Sequence, residues 1–139
     1  MSQTGPTKTH DDRFARWALY LAAAIFVVVG VEGLLAPDLL LGPVELSLAA
    51  PSSYAEIRAA YAGAFLAMAV LSIEGARKVH IRPTALMVNT VLFGVFAGTR
   101  VLSWFLDGTP NGFSFVMHGL ESIGFVVSGW LWRRSLREV

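Results

Sequence analysis

The sequence predicts an all-α fold: an integral membrane, antiparallel four-helix bundle with both termini in the cytoplasm. Three observations predict it. The chain is 55% hydrophobic and only 15% charged, with a mean hydropathy of +0.58, whereas soluble domains carry about 25% charged residues. Four apolar runs, each near the roughly 20 residues needed to cross a bilayer, are separated by short polar or proline-broken connections. Nine of the eleven Lys and Arg residues then fall on one side of that arrangement. At 139 residues there is no room for a separate soluble domain. A net charge of +1 gives no reason to expect a nucleic-acid partner, and the absence of cysteine excludes disulfides, thiolate metal sites and a cysteine nucleophile.

The elements follow in chain order. Residues 1–13 (MSQTGPTKTHDDR) are polar and read as a disordered cytoplasmic tail. A membrane domain over 14–132 begins with a first span at about 14–36, whose apolar part, Trp17 to Leu35, exceeds the 7 to 15 residues of a signal-peptide core. Pro37, Pro43 and Pro51 break the next stretch, which is too short between prolines to cross a bilayer; 37–53 reads as an interfacial or re-entrant cap on the outer side, roofing what lies below. The second span, about 54–76, opens with Ser52 or Ser53 as N-cap and Glu56 at the capping-box spacing from Ser53. After ARKVHIRP, Pro83 opens a third span over about 83–106, which Asp107 and Gly108 end at the turn DGTPNG. A fourth span covers about 113–132, and 133–139 is a basic cytoplasmic tail.

Orientation follows from the cations. Lys8, Arg13 and Arg16 precede the first span, Arg77, Lys78 and Arg82 lie between the second and third, and Arg133, Arg134 and Arg137 follow the fourth. The positive-inside rule assigns that side to the cytoplasm, and Trp17, Trp104, Trp130 and Trp132 sit near span ends where aromatic belts form.

The two remaining cations carry the functional question, because an arginine at the centre of a membrane helix costs about 2.5 to 3.5 kcal/mol. At 1.5 Å per residue, Arg58 and Glu32 lie about 6 Å below the outer ends of their helices, Arg100 about 9 Å and Glu121 about 12 Å. One charge per helix, two of each sign, therefore fall in one outer-leaflet layer, and Arg100 is expected to pair with Glu121, Glu32 or both. Helical phase puts Arg58, Tyr61, Phe65, Met68 and Ser72 on one stripe, Asn89, Phe93, Arg100 and Asp107 on a second, and Ser114, His118, Glu121, Phe125 and Ser128 on a third. Gly94 and Gly98 form G-x-x-x-G, and Ala59, Gly63 and Ala67 repeat small residues every four positions, both patterns of close helix approach.

EIRAAYAG (56–63), AGTRVLSWFLDGTP (97–110) and a glutamate in the last span resemble the bacterial membrane family of domain of unknown function 4345, a DoxX-like group of small four-helix proteins. The family pattern runs E-I-R-x-x-Y-G-G and then G-R-x-x-G-x-x-x-D-G. Here Ala62, Thr99 and Ser103 stand where glycine is usual. The resemblance spans nearly everything after residue 14 and implies that Glu56, Arg58, Tyr61, Arg100, Asp107 and Glu121 occupy the family's marked positions. It brings no assigned reaction.

The ligand-binding or ion-pair layer is thus Glu32, Arg58, Tyr61, Arg100, His118 and Glu121, with Glu56 and Asp107 read as capping or turn residues. It serves either as a network fixing helix register or as a binding or proton-handling site. His118 and Glu121 at i, i+3 are half a metal site, but no span holds a second histidine, so neither a metal nor a bis-histidine haem is expected, and no cofactor is assigned. Three classes of function follow. The first is a non-enzymatic bundle in the bacterial inner membrane that binds a lipid or quinone, or serves as accessory subunit of a larger membrane complex or homo-oligomer. The second is a small transporter or proton-coupled carrier using the same layer, with no inverted halves to support it. The third is an enzyme with Glu121 or His118 as acid or base, lacking any nucleophile or phosphate loop.

Overall fold

The computed structural model describes the backbone of residues 6–137 and the side chains of 12–137. Those residues form helices and connections without a strand. Helix α1 (Pro6–Leu35) is followed by the short α2 (Pro37–Leu41) and a 3₁₀ turn (Gly42–Val44). A continuous helix then comprises α3 (Pro51–Glu56), a π-helical segment (Ile57–Ala62) and α4 (Gly63–Arg77), before α5 (Arg82–Asp107) and α6 (Gly112–Ser135).

Three helices are long and apolar enough to cross a membrane: Asp12–Leu35, Pro51–Arg77 and Arg82–Asp107. They turn apolar side chains outward, among them Val28, Val70 and Leu102, as does α6 with Val126. Exposed apolar surface of this extent is rare on soluble monomers and points to a membrane protein.

Several element boundaries depart from the sequence expectation. The part of the expected tail over 6–13 is helical, with Pro6 as its first helical residue; adding a residue to an existing helix costs far less than nucleating one, and no breaker lies between Pro6 and the apolar run. Residues 1–5 lie outside the described residues, as do 138–139. At the other end α6 runs through Arg133 and Arg134 to Ser135, so the start of the basic tail is helical too. The helix expected to begin at Ser52 or Ser53 begins at Pro51, with Ala50 as N-cap and no side-chain cap hydrogen bond. Proline's fixed φ and missing N–H suit the first turn, so the Ser53–Glu56 capping box does not form and Glu56 lies exposed within the helix. The last three residues of the expected cap, 51–53, belong to this helix.

Helix ends elsewhere follow local chemistry. Ala36, which precedes Pro37, leaves helical geometry at φ −139° and ψ 61° and stops α1. Gly108 adopts φ 99°, a conformation glycine reaches without strain, and ends α5 after Asp107. Asn111 caps α6, its side-chain oxygen accepting the Ser114 N–H at 3.1 Å.

The helices pack α1 against α4 and the π segment, α5 against α6, α4 against α5, and α1 lightly against α6. Two apolar clusters fill the interior. One joins Ala15 and Leu19 of α1 to Ala76, Ala85, Leu86 and Leu131; the other joins Ala22 and Phe26 to Ala69, with Phe65, Met68, Leu92 and Phe93 around them. Between α4 and α5 the buried Asn89 side-chain amide donates to Ser72 Oγ at 3.1 Å, a polar pin of the kind that joins helices where water is absent.

The small residues that permit close approach are, Gly94 apart, not the expected ones. Gly98 has nothing within 4 Å of where a Cβ would sit, and Ala59, Gly63 and Ala67 are exposed. Contact is made by the expected Gly94 against Phe125 and its reciprocal pair Gly124 against Phe93, and by Gly30 under Leu66, Gly33 under Ala62 and Gly75 under Ala85.

A buried arginine lies at the opposite end from Arg100. Arg82, read from the sequence as one of the loop cations, is only 5% exposed. It donates to Asp12 at 2.6 Å and to the backbone carbonyls of Gly75 at 3.2 Å and Ala76 at 3.4 Å. Carbonyls in the last turn of a helix have no partner within it, and a cation there also meets the negative end of the helix dipole. Arg82 thus ties α1 to the α4–α5 corner.

Candidate functional site

The expected pairing of Arg100 is met by Glu121. Nε donates to one carboxylate oxygen at 2.7 Å and Nη2 to the other at 2.9 Å, a bidentate fork between α5 and α6. The Glu121 side chain is 6% exposed and that of Arg100 28%, so the carboxylate is sealed while the guanidinium keeps an open flank. Two of the five guanidinium N–H groups serve Glu121, leaving three.

That flank faces a cavity of ≈ 700 Å³, inside the range of about 300 to 1,000 Å³ usual for ligand pockets. Its walls are mostly apolar: Phe26 and Val29 of α1, Phe65, then Phe93, Phe96 and Trp104 of α5, and Phe113 and Met117 of α6. Arg100, Glu121, Glu32, Tyr61, Ser103, Ser114 and Asp107 supply the polar part. Phe26 stacks on Phe93 at 5.5 Å between ring centroids, and Phe65 joins Phe26 to Tyr61 and Phe96, making one aromatic wall.

The cap contributes to the same space. Leu39, Leu40, Leu41, Pro43 and Val44 line the cavity, and the segment is anchored at both ends. Tyr54 hydroxyl reaches the Asp38 carboxylate at 3.0 Å. At the far end Asn111 Nδ2 donates to the Pro43 carbonyl at 2.8 Å and sits 3.2 Å from Glu45 Oε1, so the residue that caps α6 also latches the cap segment. Glu45 closes the 3₁₀ turn with φ 60°, the one positive-φ residue besides glycine among the described residues.

The other residues singled out from the sequence separate into three groups. Glu32 and Tyr61 border the cavity with the Arg100–Glu121 pair, and Glu32 has no ion pair or side-chain hydrogen bond among the described residues. Arg58 does not line the cavity: its Nε donates to the Leu34 carbonyl at 3.0 Å and its guanidinium lies 5.7 Å from the Tyr54 ring centroid. It covers an open carbonyl at the end of α1, a sufficient reason for an arginine there. His118 lies edge-on to Trp104 at 4.7 Å, with Nδ1 buried and without a hydrogen-bond partner; it is not among the residues lining the cavity. Glu56 is away from the site, and Asp107 ends α5 at the cavity rim. Among the described residues no three His, Cys, Asp or Glu side chains cluster as metal ligands would.

Two features of the site lie outside the sequence expectation, one with a signal that is easy to pass over and one with none. The dipeptide preceding the fourth span, NG, carries an asparagine at N-cap position. The π-helical segment has none: Ile57–Ala62 reads as ordinary helix, yet the Gly63 N–H bonds back to the Arg58 carbonyl, five residues earlier. Such an extra residue in a turn is often found where function is placed, because it re-aims side chains within a helix. Here it falls on the stretch holding both Arg58 and Tyr61, and Tyr61 meets the cavity while Arg58 does not.

A family model described as a domain of unknown function (DUF4345) matches residues 14–132. The chain belongs to the DUF4345 family. No curated protein and no solved structure matches it. The DUF4345 match runs from α1 through α6 and takes in every wall of the cavity, the cap segment included.

Proposed function

We propose that this chain is a four-span bundle of the bacterial inner membrane that binds an amphipathic ligand of lipid or quinone type and catalyses no reaction itself, acting alone or as accessory subunit of a larger complex. The observation that carries this reading is the ≈ 700 Å³ cavity, apolar on most of its walls, with a smaller polar part that includes Glu32 and an Arg100 whose remaining donors are free of Glu121. A site of that form suits a long apolar body with a polar head. The cap segment, held by Asp38–Tyr54 and by Asn111, is then a lid in the outer interface. Native mass spectrometry of the protein in nanodiscs is the test. An adduct of lipid or quinone mass is expected on the parent chain and absent from Ser103→Phe, which fills the cavity from its wall. A bare parent, or an adduct that survives the filled cavity, overturns the reading.

In this reading α6 is the fourth span, although His118, Glu121 and its serines and glycines make it less apolar than the others. Both termini and the Arg77–Arg82 corner are cytoplasmic, and the turn at Gly108–Asn111 is outside. The chain has no cysteine, so Thr109→Cys gives a single reporter. It is expected to react with an impermeant thiol reagent in intact cells lacking an outer-membrane barrier; reaction only after lysis reverses the orientation.

A further inference from the structure

The ligand's head can be argued from the charges that face it, given the reading of the cavity as a ligand site, on which this step rests. Three carboxylates and one guanidinium line the cavity: Glu32, Asp107, Glu121 and Arg100. The bidentate fork cancels Arg100 against Glu121. That leaves Glu32, within the span Asp12–Leu35, and Asp107, at the rim, with no cation among the described residues to offset either. An intramembrane carboxylate without a partner is costly, and such groups generally face a counter-charge or a polar path.

An anionic head placed here would meet two uncancelled carboxylates. A neutral head would use the remaining Arg100 donors and leave Glu32 as it was. A cationic head offsets Glu32 directly, and the cavity that holds it is lined by the aromatic rings of Tyr61, Phe65 and Phe96, a residue type whose π-surfaces attract cations. We infer that the cavity takes an amphiphile with a cationic head, a substituted ammonium on an apolar tail, whose charge is held by Glu32 while the tail lies against the apolar wall. The Arg100–Glu121 fork then limits the depth of the head: its guanidinium repels a second cation and keeps the ammonium at the Glu32 side.

The test compares three probes of one tail length on the full chain in nanodiscs, counted as bound adducts by native mass spectrometry: decyltrimethylammonium, decyl sulfate and a decyl-substituted benzoquinone. Decyltrimethylammonium is expected to bind saturably at one per chain and more tightly than the other two. Glu32→Gln should weaken it at least about tenfold, the factor that about 1.4 kcal/mol of attraction amounts to, whereas Glu32→Asp should keep most of the affinity and both variants should melt near the parent. Preference for the sulfate or the quinone, or a cation affinity that Glu32→Gln leaves unmoved, overturns the cationic head and leaves the cavity as a ligand site. If none of the three saturates a site and Ser103→Phe changes nothing, the cavity reading itself falls. The ranking of probes on the unaltered chain needs no variant to fold.

Discussion

Arg100→Leu should lower stability in detergent by about 3 to 5 kcal/mol, the usual cost of removing one member of a buried pair, and Glu121→Leu should lower it by less. The asymmetry comes from burial. Without Arg100, a carboxylate that is 6% exposed keeps its charge with no partner, or gives it up at the expense of taking a proton; without Glu121, a guanidinium that is 28% exposed still borders the cavity. Water or a polar occupant in that cavity can meet its donors. The double Leu variant should recover most of the loss, because two apolar side chains across α5 and α6 carry no desolvation cost and pack where the fork stood. Pairing Arg100→Leu with Glu32→Leu should not recover it, since Glu32 makes no bond to Arg100. Thermal melts of the four variants decide this. Equal melting of all four and the parent would place Arg100 outside any buried pair, and recovery with Glu32 in place of Glu121 would make Glu32 the partner.

That prediction was partly legible in the sequence, and the reason is arithmetic. Depth along a helix scales with residue number, so Arg100 and Glu121 could be set at one level from the turn between them alone. Which of two carboxylates Arg100 meets depends on which helices touch. α5 lies along α6, and a hairpin with a short turn makes that contact nearly obligatory. Arg58 went astray because depth says nothing about rotation: a π-helical turn lies across it, and the stripe Arg58–Tyr61–Phe65–Met68–Ser72 assumes a constant 3.6 residues per turn. Downstream of the π segment the assumption holds again, and Phe65, Met68 and Ser72 do face α1 and α5. Arg82 reads as a loop charge because its neighbours are polar, yet three of its donors reach Asp12 and two carbonyls that no sequence window brings together. The cap's apolar residues were legible as a roof from leucines between prolines; the Asn111 latch that holds it was not, being a contact 68 residues apart.

Of the small residues the motif reading sets at helix contacts Gly94 makes one and Gly98 does not, and a glycine-to-alanine series gives the contacts a measurable order. Gly75 is buried where α4 crosses α5, and a Cβ there would overlap that of Ala85, with Leu19 Cδ1 only 3.3 Å away. Neither neighbour can give: Ala85 is fixed by its own helix, and Leu19 is 1% exposed. Gly75→Ala should therefore force the helices apart and cost about 1 to 3 kcal/mol, the range of overpacked cores. The Gly75 carbonyl also accepts from Arg82, so the strain reaches the corner that Arg82 ties to Asp12. At Gly94 the obstruction is the edge of the Phe125 ring, 2.8 Å from the added carbon. That ring is 46% exposed and can swing outward, so Gly94→Ala should cost less. Gly98→Ala meets nothing within 4 Å and should be neutral or stabilising, alanine being favoured over glycine in a helix by up to about 1 kcal/mol. Moving the methyl from one helix to the other tests the mechanism: Ala85→Gly added to Gly75→Ala should restore most of the lost stability, because one methyl again occupies the space between α4 and α5. A Gly98→Ala cost as large as that of Gly75→Ala would mean that Gly98 packs against another helix, and the G-x-x-x-G pair would then be a true contact, made with a second chain.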